Sequence, residues 1–175
     1  MRDEIRQVQE VARSSLEEVR QVARRLRPGE LEELGLVSAL SALVSEMATH
    51  TGARVRRRLG TGLPALEPDV ELVLYRIAQE GLTNAARHAQ ADVLELSLDR
   101  EGDSLVLRVA DNGRGLGSHE EGTGLRGMRE RALLIGARLR VGSRPRGGTE
   151  VCLALPLPAT EPVPGPASTP TSDHA

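Results

Sequence analysis

The chain of 175 residues contains no lysine, and all 23 of its positively charged side chains are arginine. This absence excludes a P-loop lysine, a Schiff-base lysine and the ATP-contacting lysine of eukaryotic-type protein kinases. Phenylalanine and tryptophan are absent too, and the chain has a single tyrosine. It therefore lacks the aromatic platforms on which single-stranded nucleic acids stack.

The chain also has one cysteine, no long apolar run and only a small net charge. A single cysteine, Cys152, excludes an internal disulfide and a cysteine-based zinc site. No apolar run approaches the roughly 18 residues of a membrane span, and the charged beginning is unlike a signal peptide, so we expect a cytoplasmic chain. The net charge of −2 argues against direct nucleic-acid binding through neutralised phosphates.

Residues 2–27 have the heptad pattern of a long amphipathic helix. Its apolar positions are Ile5, Val8, Ala12, Val19, Val22 and Leu26, with Ser15 interrupting the seam. Because alternating spacings of three and four place these side chains in one narrow stripe, the pattern is typical of a helical bundle. Pro28-Gly29 ends it, and residues 1–28 are therefore predicted to form part of a dimerisation helix.

Residues 29–157 alternate helical and strand patterns and form the predicted main domain. We predict helices at about 36–50, 68–89 and 125–135, and strands at 53–59, 93–98, 104–110, 138–143 and 149–155. This order predicts an α+β fold, a two-layer α/β sandwich in which helices cover one face of a mixed sheet. Residues 158–175 are dominated by Pro, Thr, Ser and Ala, so we expect them to be disordered.

A group of polar residues lies at the edge of the otherwise apolar face of the helix predicted at 68–89. Glu80, Asn84, Arg87 and His88 are four, three and one residues apart, which places most of them on one helix face. An amide oxygen suits Mg²⁺ and a guanidinium suits phosphate. Taken alone, the pattern is more often a solvated polar face.

The segment from Asp111 to Gly115 directly follows an apolar strand. An aspartate at a strand end can accept a hydrogen bond from an exocyclic amine such as that of adenine, and Gly113 and Gly115 allow close approach of the backbone. Asp, Asn and Gly are also the usual residues of a tight turn, which is the simpler explanation of this segment alone.

A third motif, from Gly122 to Arg129, places glycines at a helix start, where free N–H groups and the helix dipole favour phosphate. It matches G-x-G-x-x-G formally, but it follows a polar loop rather than a strand, which argues against a Rossmann site. A lid hinged by glycines fits better. Gly147-Gly148-Thr149 is a weaker element, because a hairpin turn alone explains the two glycines.

In this order the motifs resemble those of the Bergerat-fold ATPases (GHKL superfamily), which include gyrase, Hsp90, histidine kinase and MutL proteins. That resemblance covers about residues 64–156. Further stretches resemble the two-component sensor histidine kinases whose response regulators carry a LuxR/NarL-type DNA-binding domain: Leu26-Arg27-Pro28 with Leu34-Gly35-Leu36 and Ala39-Leu40, Tyr75-Arg76-Ile77-Ala78-Gln79-Glu80 leading into Thr83-Asn84, and Gly124-Leu125-Arg126-Gly127-Met128-Arg129-Glu130-Arg131.

The resemblance implies that these residues bind Mg-ATP. Asn84 would coordinate Mg²⁺, and Glu80 would help order that metal or a water. Asp111 would bind the adenine amino group, and Thr149 would support Asp111 through water. The other nucleotide-binding positions would be Arg87, His88, Gly113, Gly115, Gly122, Thr123, Gly124, Leu125, Gly127 and Met128.

The implied reaction is transfer of the γ-phosphoryl group to a histidine of a homodimer and then to an aspartate of a response regulator. In this family the acceptor histidine lies on the first of two bundle helices, but residues 2–27 contain no histidine. His50, His88, His119 and His174 lie in other elements. Residues 2–27 therefore resemble the second bundle helix, and the chain is expected to bind ATP without phosphorylating itself. A full-length protein could be anchored at the inner face of the membrane.

Three other functions remain open at this stage. An ATP-driven clamp of the gyrase or MutL type would need a lysine from a following domain, which this chain lacks. An anti-sigma-type serine kinase shares the fold but lacks the heptad arm. A non-catalytic nucleotide-binding dimerisation module is compatible with the missing acceptor histidine, although intact motifs argue against it.

Overall fold

The computed structural model describes residues 28–116 and 122–158 of the chain. The predicted dimerisation helix at 2–27, the tail from residue 159 onward and His119 lie outside the described residues. Within these two ranges, no helix is both long and apolar enough to cross a membrane.

Three α-helices and five β-strands follow one another along the described residues. The helices are α1 (Gly29–Thr51), α2 (Pro68–His88) and α3 (Thr123–Leu134), and the strands are β1 (Arg54–Leu59), β2 (Val93–Glu101), β3 (Ser104–Asp111), β4 (Arg138–Ser143) and β5 (Thr149–Pro156). All eight coincide with predicted elements, although several of their ends differ.

The largest difference from the predicted elements is the beginning of α1. The helix begins at Gly29 rather than near residue 36, and it consists of two helical pieces that meet at Gly35. Gly35 has φ 75° and ψ 174°, a conformation that glycine adopts without steric cost. The first piece buries only Leu31, so it lacks the repeated apolar spacing by which a helix is recognised in a sequence.

The five strands form one mixed sheet in the order β1-β2-β3-β5-β4. β1 and β2 are parallel and are joined through α2, whereas the other neighbours are antiparallel. The inner face, packed against the helices, carries the cross-strand rows Leu96, Val109 and Val151, and Leu98, Leu107 and Leu153. The predicted α+β sandwich with helices on one face is therefore confirmed.

The outer face of the sheet is polar. Arg108 on β3 and Glu101 on β2 form a two-pronged ion pair, and the hydrogen bond from Arg108 holds the pKa of the Glu101 carboxyl below its ordinary value. Cys152 lies opposite Arg108 in the register, and partial burial raises the pKa of its thiol. This face thus differs from the inner one, which forms the hydrophobic core.

Close packing of α2 on β3 determines where the polar residues of α2 lie. At Gly81, an added Cβ would come within 3.2 Å of the Val109 side chain, so glycine allows α2 to approach the strand closely. Leu82 and Ile77 are fully buried on the same helix. As a result, the polar side chains near the end of α2 lie beside the last residue of β3.

Candidate functional site

A cleft of about 640 Å³ opens where the polar end of α2 faces the end of β3 and the beginning of α3. Ten of the predicted site residues line it: Glu80, Asn84, Arg87, Asp111, Gly115, Gly122, Thr123, Gly124, Leu125 and Thr149. Motifs separated by up to 69 positions along the chain therefore form one site.

Asp111 is a carboxylate in an almost fully buried position, with 3% of its surface exposed. It ends β3 and faces the helices, like Val109 two residues earlier. One carboxylate oxygen accepts a hydrogen bond from the Gly113 N–H at 2.8 Å, and no other described residue donates to the side chain. Because a buried carboxylate requires donors, its second oxygen is available to a donor on a ligand in the cleft.

Glycines allow the backbone around Asp111 to pack tightly. A Cβ at Gly113 would overlap the carbonyl of Ala89, which accepts a hydrogen bond from the Arg114 N–H at 2.9 Å. A Cβ at Gly148 would overlap the carbonyl of Asp111, and Gly148 has φ 90°. The end of β3 therefore lies between the end of α2 and the β4–β5 turn. Gly113 and Gly148 support the cleft without lining it.

Glu80 and Asn84 interact directly on α2. The Asn84 Nδ2 donates to Glu80 Oε1 at 3.2 Å, one helical turn away. This bond fixes the orientation of the amide and leaves the Asn84 Oδ1 as the acceptor available to a cation. A Cβ on Gly124 would overlap Glu80 Oε1, so the beginning of α3 lies directly against this pair.

Within the described residues, the beginning of α3 shows none of the groups that usually satisfy a helix N-terminus. Gly122 occupies the cap position without a side-chain hydrogen bond, and the first turn contains no acidic residue. In contrast, the first turns of α1 and α2 each contain two acidic residues, Glu30 and Glu32, and Asp69 and Glu71. The free N–H groups and positive dipole end of α3 border the cleft and are suited to an anion.

Like Gly113, two other predicted nucleotide-binding residues do not line the cleft. Met128 is fully buried in the hydrophobic core, and the atoms nearest to a Cβ on Gly127 would be those of the Arg131 guanidinium. Neither residue lines the cleft, and the ligand contacts that the resemblance implies for them stay a prediction. The side chain of His88 lies outside the described part of the structure, so its predicted role stays a prediction.

Other lining residues are absent from the sequence-based predictions. They are Gly81, Ala85, Ala89, Val109, Ala110, Arg114, Leu116, Val141 and Val151. Val141 and Val151 are a cross-strand pair, and their alternation with outward-facing residues is the signal that could have identified them as one apolar wall.

The described side chains offer few ligands to a metal ion. They contain no group of three or more His, Cys, Asp or Glu positioned to hold one. A cation in this cleft would therefore depend on the Asn84 amide oxygen together with oxygens of the ligand itself. This donor set suits Mg²⁺, which is usually bound by one or two protein oxygens plus phosphates and water.

Comparison with known proteins agrees with this arrangement. Residues 69–159 match the family described as histidine kinase-, DNA gyrase B-, and HSP90-like ATPase. Over 162 residues the chain is 33% identical to the signal transduction histidine-protein kinase/phosphatase DegS of Brevibacillus brevis, covering 90% of this chain and 42% of that protein. Over 159 residues it is 31% identical to the oxygen sensor histidine kinase NreB of Staphylococcus carnosus, covering 89% and 46%.

A solved structure shows the same similarity. The histidine kinase domain of the Erythrobacter litoralis EL346 blue-light activated histidine kinase aligns with a TM-score of 0.59 and 27% identity, covering 67% of this chain and 59% of that one. The chain spans less than half the length of the two relatives from Brevibacillus and Staphylococcus. The family match, by contrast, covers more than half of this chain. The chain therefore belongs to the histidine kinase-, DNA gyrase B-, and HSP90-like ATPase family and has the ATPase domain of a sensor histidine kinase.

Proposed function

We propose that the cleft binds Mg-ATP and that the protein acts as a sensor histidine kinase in two-component signal transduction. The observation that carries the proposal is the position of Asp111, a buried carboxylate with one oxygen open to the cleft, opposite the uncapped beginning of α3. An amine-bearing ring can donate a hydrogen bond to the carboxylate at one end, and a chain of phosphates carries the negative charge suited to the other end.

In the proposed complex, the adenine ring lies at the Asp111 end. The free oxygen of Asp111 accepts a hydrogen bond from the exocyclic amine, while Val109 and Val151 provide an apolar wall. Gly115 and Thr149 line the same part of the cleft, and Thr149 supports Asp111 through a water molecule. Guanine has an oxygen where adenine has this amine, so the carboxylate selects for adenine.

The phosphates lie at the other end, near the beginning of α3. The N–H groups around Thr123, Gly124 and Leu125 donate to phosphate oxygens, and Arg87 adds a positive charge. Asn84 holds Mg²⁺ through its amide oxygen, and Glu80 holds Asn84 in place. A Mg²⁺ ion held there would supply neutralisation of the phosphate charge.

The γ-phosphoryl group passes to a histidine of the dimer and from there to an aspartate of a response regulator with a NarL/LuxR-type output domain. We assign ATP binding to residues 29–157. Residues 1–28 contain no histidine, so we propose that the acceptor histidine lies on another helix of the bundle. We place these reactions in the cytoplasm, where ATP is available, with the full-length protein at the inner face of the membrane.

Titration calorimetry with Mg-ATP tests the nucleotide site. We expect the chain to bind, and Asp111→Asn to weaken binding about tenfold or more, because a charge-assisted hydrogen bond is lost from a buried site. Asp103→Asn is the matched control, since Asp103 is exposed in the β2–β3 turn. No binding by the native chain, or equal binding by all three proteins, would refute the proposed adenine contact.

Phosphoryl transfer needs a longer protein that supplies the acceptor helix. With ATP labelled on the γ-phosphate, that protein should acquire an acid-labile label, as expected for phosphohistidine. At an ATP concentration below the native Kd, Asp111→Asn should acquire much less of it. An acid-stable label would instead indicate a serine kinase, and binding without any labelling would indicate a non-catalytic module.

A further inference from the structure

We propose that Arg144 is a positioning residue for adenine recognition, acting through the main chain of Asp111. The inference rests on the proposed ATP site and deepens it. Arg144 follows β4 and does not line the cleft. Its guanidinium donates through Nη1 to the main-chain carbonyl of Asp111 at 3.2 Å.

Glu95 holds the Arg144 side chain in this position. Glu95 Oε2 lies 3.3 Å from Arg144 Nη1, and both side chains are about two-thirds covered, with 35% and 37% of their surfaces exposed. Glu95 lies on the outer face of β2, opposite Ala110 and next to Arg56, whose guanidinium is 3.6 Å from its other oxygen. Arg144 therefore connects a charged side chain of the outer face, Glu95, to the main chain of Asp111, whose side chain faces the cleft.

The β4–β5 turn also fixes the backbone of Arg144 itself. The Arg144 N–H donates to the Gly148 carbonyl at 2.9 Å, and the Arg144 carbonyl accepts from the Gly147 N–H at 3.1 Å. Gly148 in turn packs against the Asp111 carbonyl so closely that no Cβ could be accommodated there. A closed turn and a charged side chain thus hold one carbonyl oxygen from two sides.

The position of the Asp111 carboxylate follows from this restraint. Among the described residues the carboxylate has one donor, the N–H of Gly113, only two residues away, so its direction depends on the backbone of residues 111–113. A hydrogen bond weakens steeply when its length or angle changes, and a small rotation at Asp111 would misalign its free oxygen with the adenine amine. Arg144 prevents this rotation.

The test compares two nucleotides that differ only in the group Asp111 recognises. Mg-ATP carries the 6-amino group, whereas the Mg complex of purine riboside triphosphate lacks it. We expect Arg144→Gln to weaken Mg-ATP binding about fivefold, as for loss of a partly exposed charged hydrogen bond, and to leave the binding of purine riboside triphosphate unchanged. Arg146→Gln, an exposed arginine of the same turn, is the matched control and should change neither affinity.

A second variant isolates the ion pair. Glu95→Gln should weaken Mg-ATP binding in the same direction but less, and the double variant should bind no worse than Arg144→Gln alone, because both changes act through one contact. Equal losses for both nucleotides, together with a lower Tm, would show that Arg144 only supports the fold and would overturn the proposal. Unchanged Mg-ATP affinity in Arg144→Gln would overturn it as well. If the native chain fails to bind Mg-ATP, or binds both nucleotides equally well, the proposed adenine site itself is refuted.

Discussion

Glycines in and around this cleft differ in which atoms an added Cβ would meet. At the scale of single residues, that difference separates the glycines needed for the fold from those needed for ligand binding. A Cβ on Gly148 would meet the rigid main-chain carbonyl of Asp111. A Cβ on Gly124 would meet the end of the flexible Glu80 side chain, which can move away. The first change therefore strains the fold, and the second disturbs the Glu80–Asn84 hydrogen bond.

We expect Gly124→Ala to weaken Mg-ATP binding while leaving the free energy of unfolding within about 0.5 kcal/mol of its native value. Alanine favours the helix, but displacement of Glu80 releases the Asn84 amide that would hold the metal ion. Calorimetry and urea unfolding measure the two effects. Gly29→Ala is the control, because an added Cβ there meets nothing within 4 Å. A large loss of stability with unchanged binding would contradict this assignment.

At the scale of elements, Asn112 joins two strands near the site. Its Oδ1 accepts hydrogen bonds from the N–H groups of Asp92 and Val93, at 3.0 and 2.9 Å. These donors lie just before β2 and at its first residue, so Asn112 fixes the α2–β2 connection against the end of β3. Within the Asp111–Gly115 motif, the side chain of Asn112 thus serves the fold, whereas that of Asp111 faces the cleft.

Replacing Asn112 tests this role. Asn112→Ala should lower the free energy of unfolding by about 1–3 kcal/mol, because two main-chain donors lose their acceptor. Asn112→Asp keeps an acceptor oxygen in the same place and should recover most of that loss. Urea unfolding of the three proteins provides the comparison. If the aspartate variant is as unstable as the alanine variant, the hydrogen bonds to β2 do not explain the effect.

The same elements show how far the sequence alone could lead. Local patterns were enough to predict the β2–β3 hairpin, the helix of Asn84 and the order of the motifs. They could not show that Asn112 contacts residues about 20 positions away or that Arg144 contacts Asp111 across 33. Nor could they show that the Met128 side chain is fully buried in the core, because the buried side of α3 depends on how the helix packs.

At the scale of the whole molecule, the cleft is formed by parts that are distant in sequence: α2, the end of β3, the beginning of α3 and the β4–β5 hairpin. The unfolded chain does not bring these parts together, so a ligand that contacts all of them binds the native state alone. Nucleotide binding should therefore be coupled to global stability, even though each contact is local.

Mg-ATP at about 100 times its Kd should raise the free energy of unfolding by about 2.7 kcal/mol, the value expected when a ligand binds only the native state. Urea unfolding with and without nucleotide measures this increase, and Asp103→Asn should show all of it. In Asp111→Asn, the same Mg-ATP concentration should give an increase of about 1.4 kcal/mol or less, because that concentration is then about ten times the weakened Kd or lower. An equal increase in Asp111→Asn would mean that the stabilising contacts lie away from Asp111, and the nucleotide would then have to be placed elsewhere on the molecule.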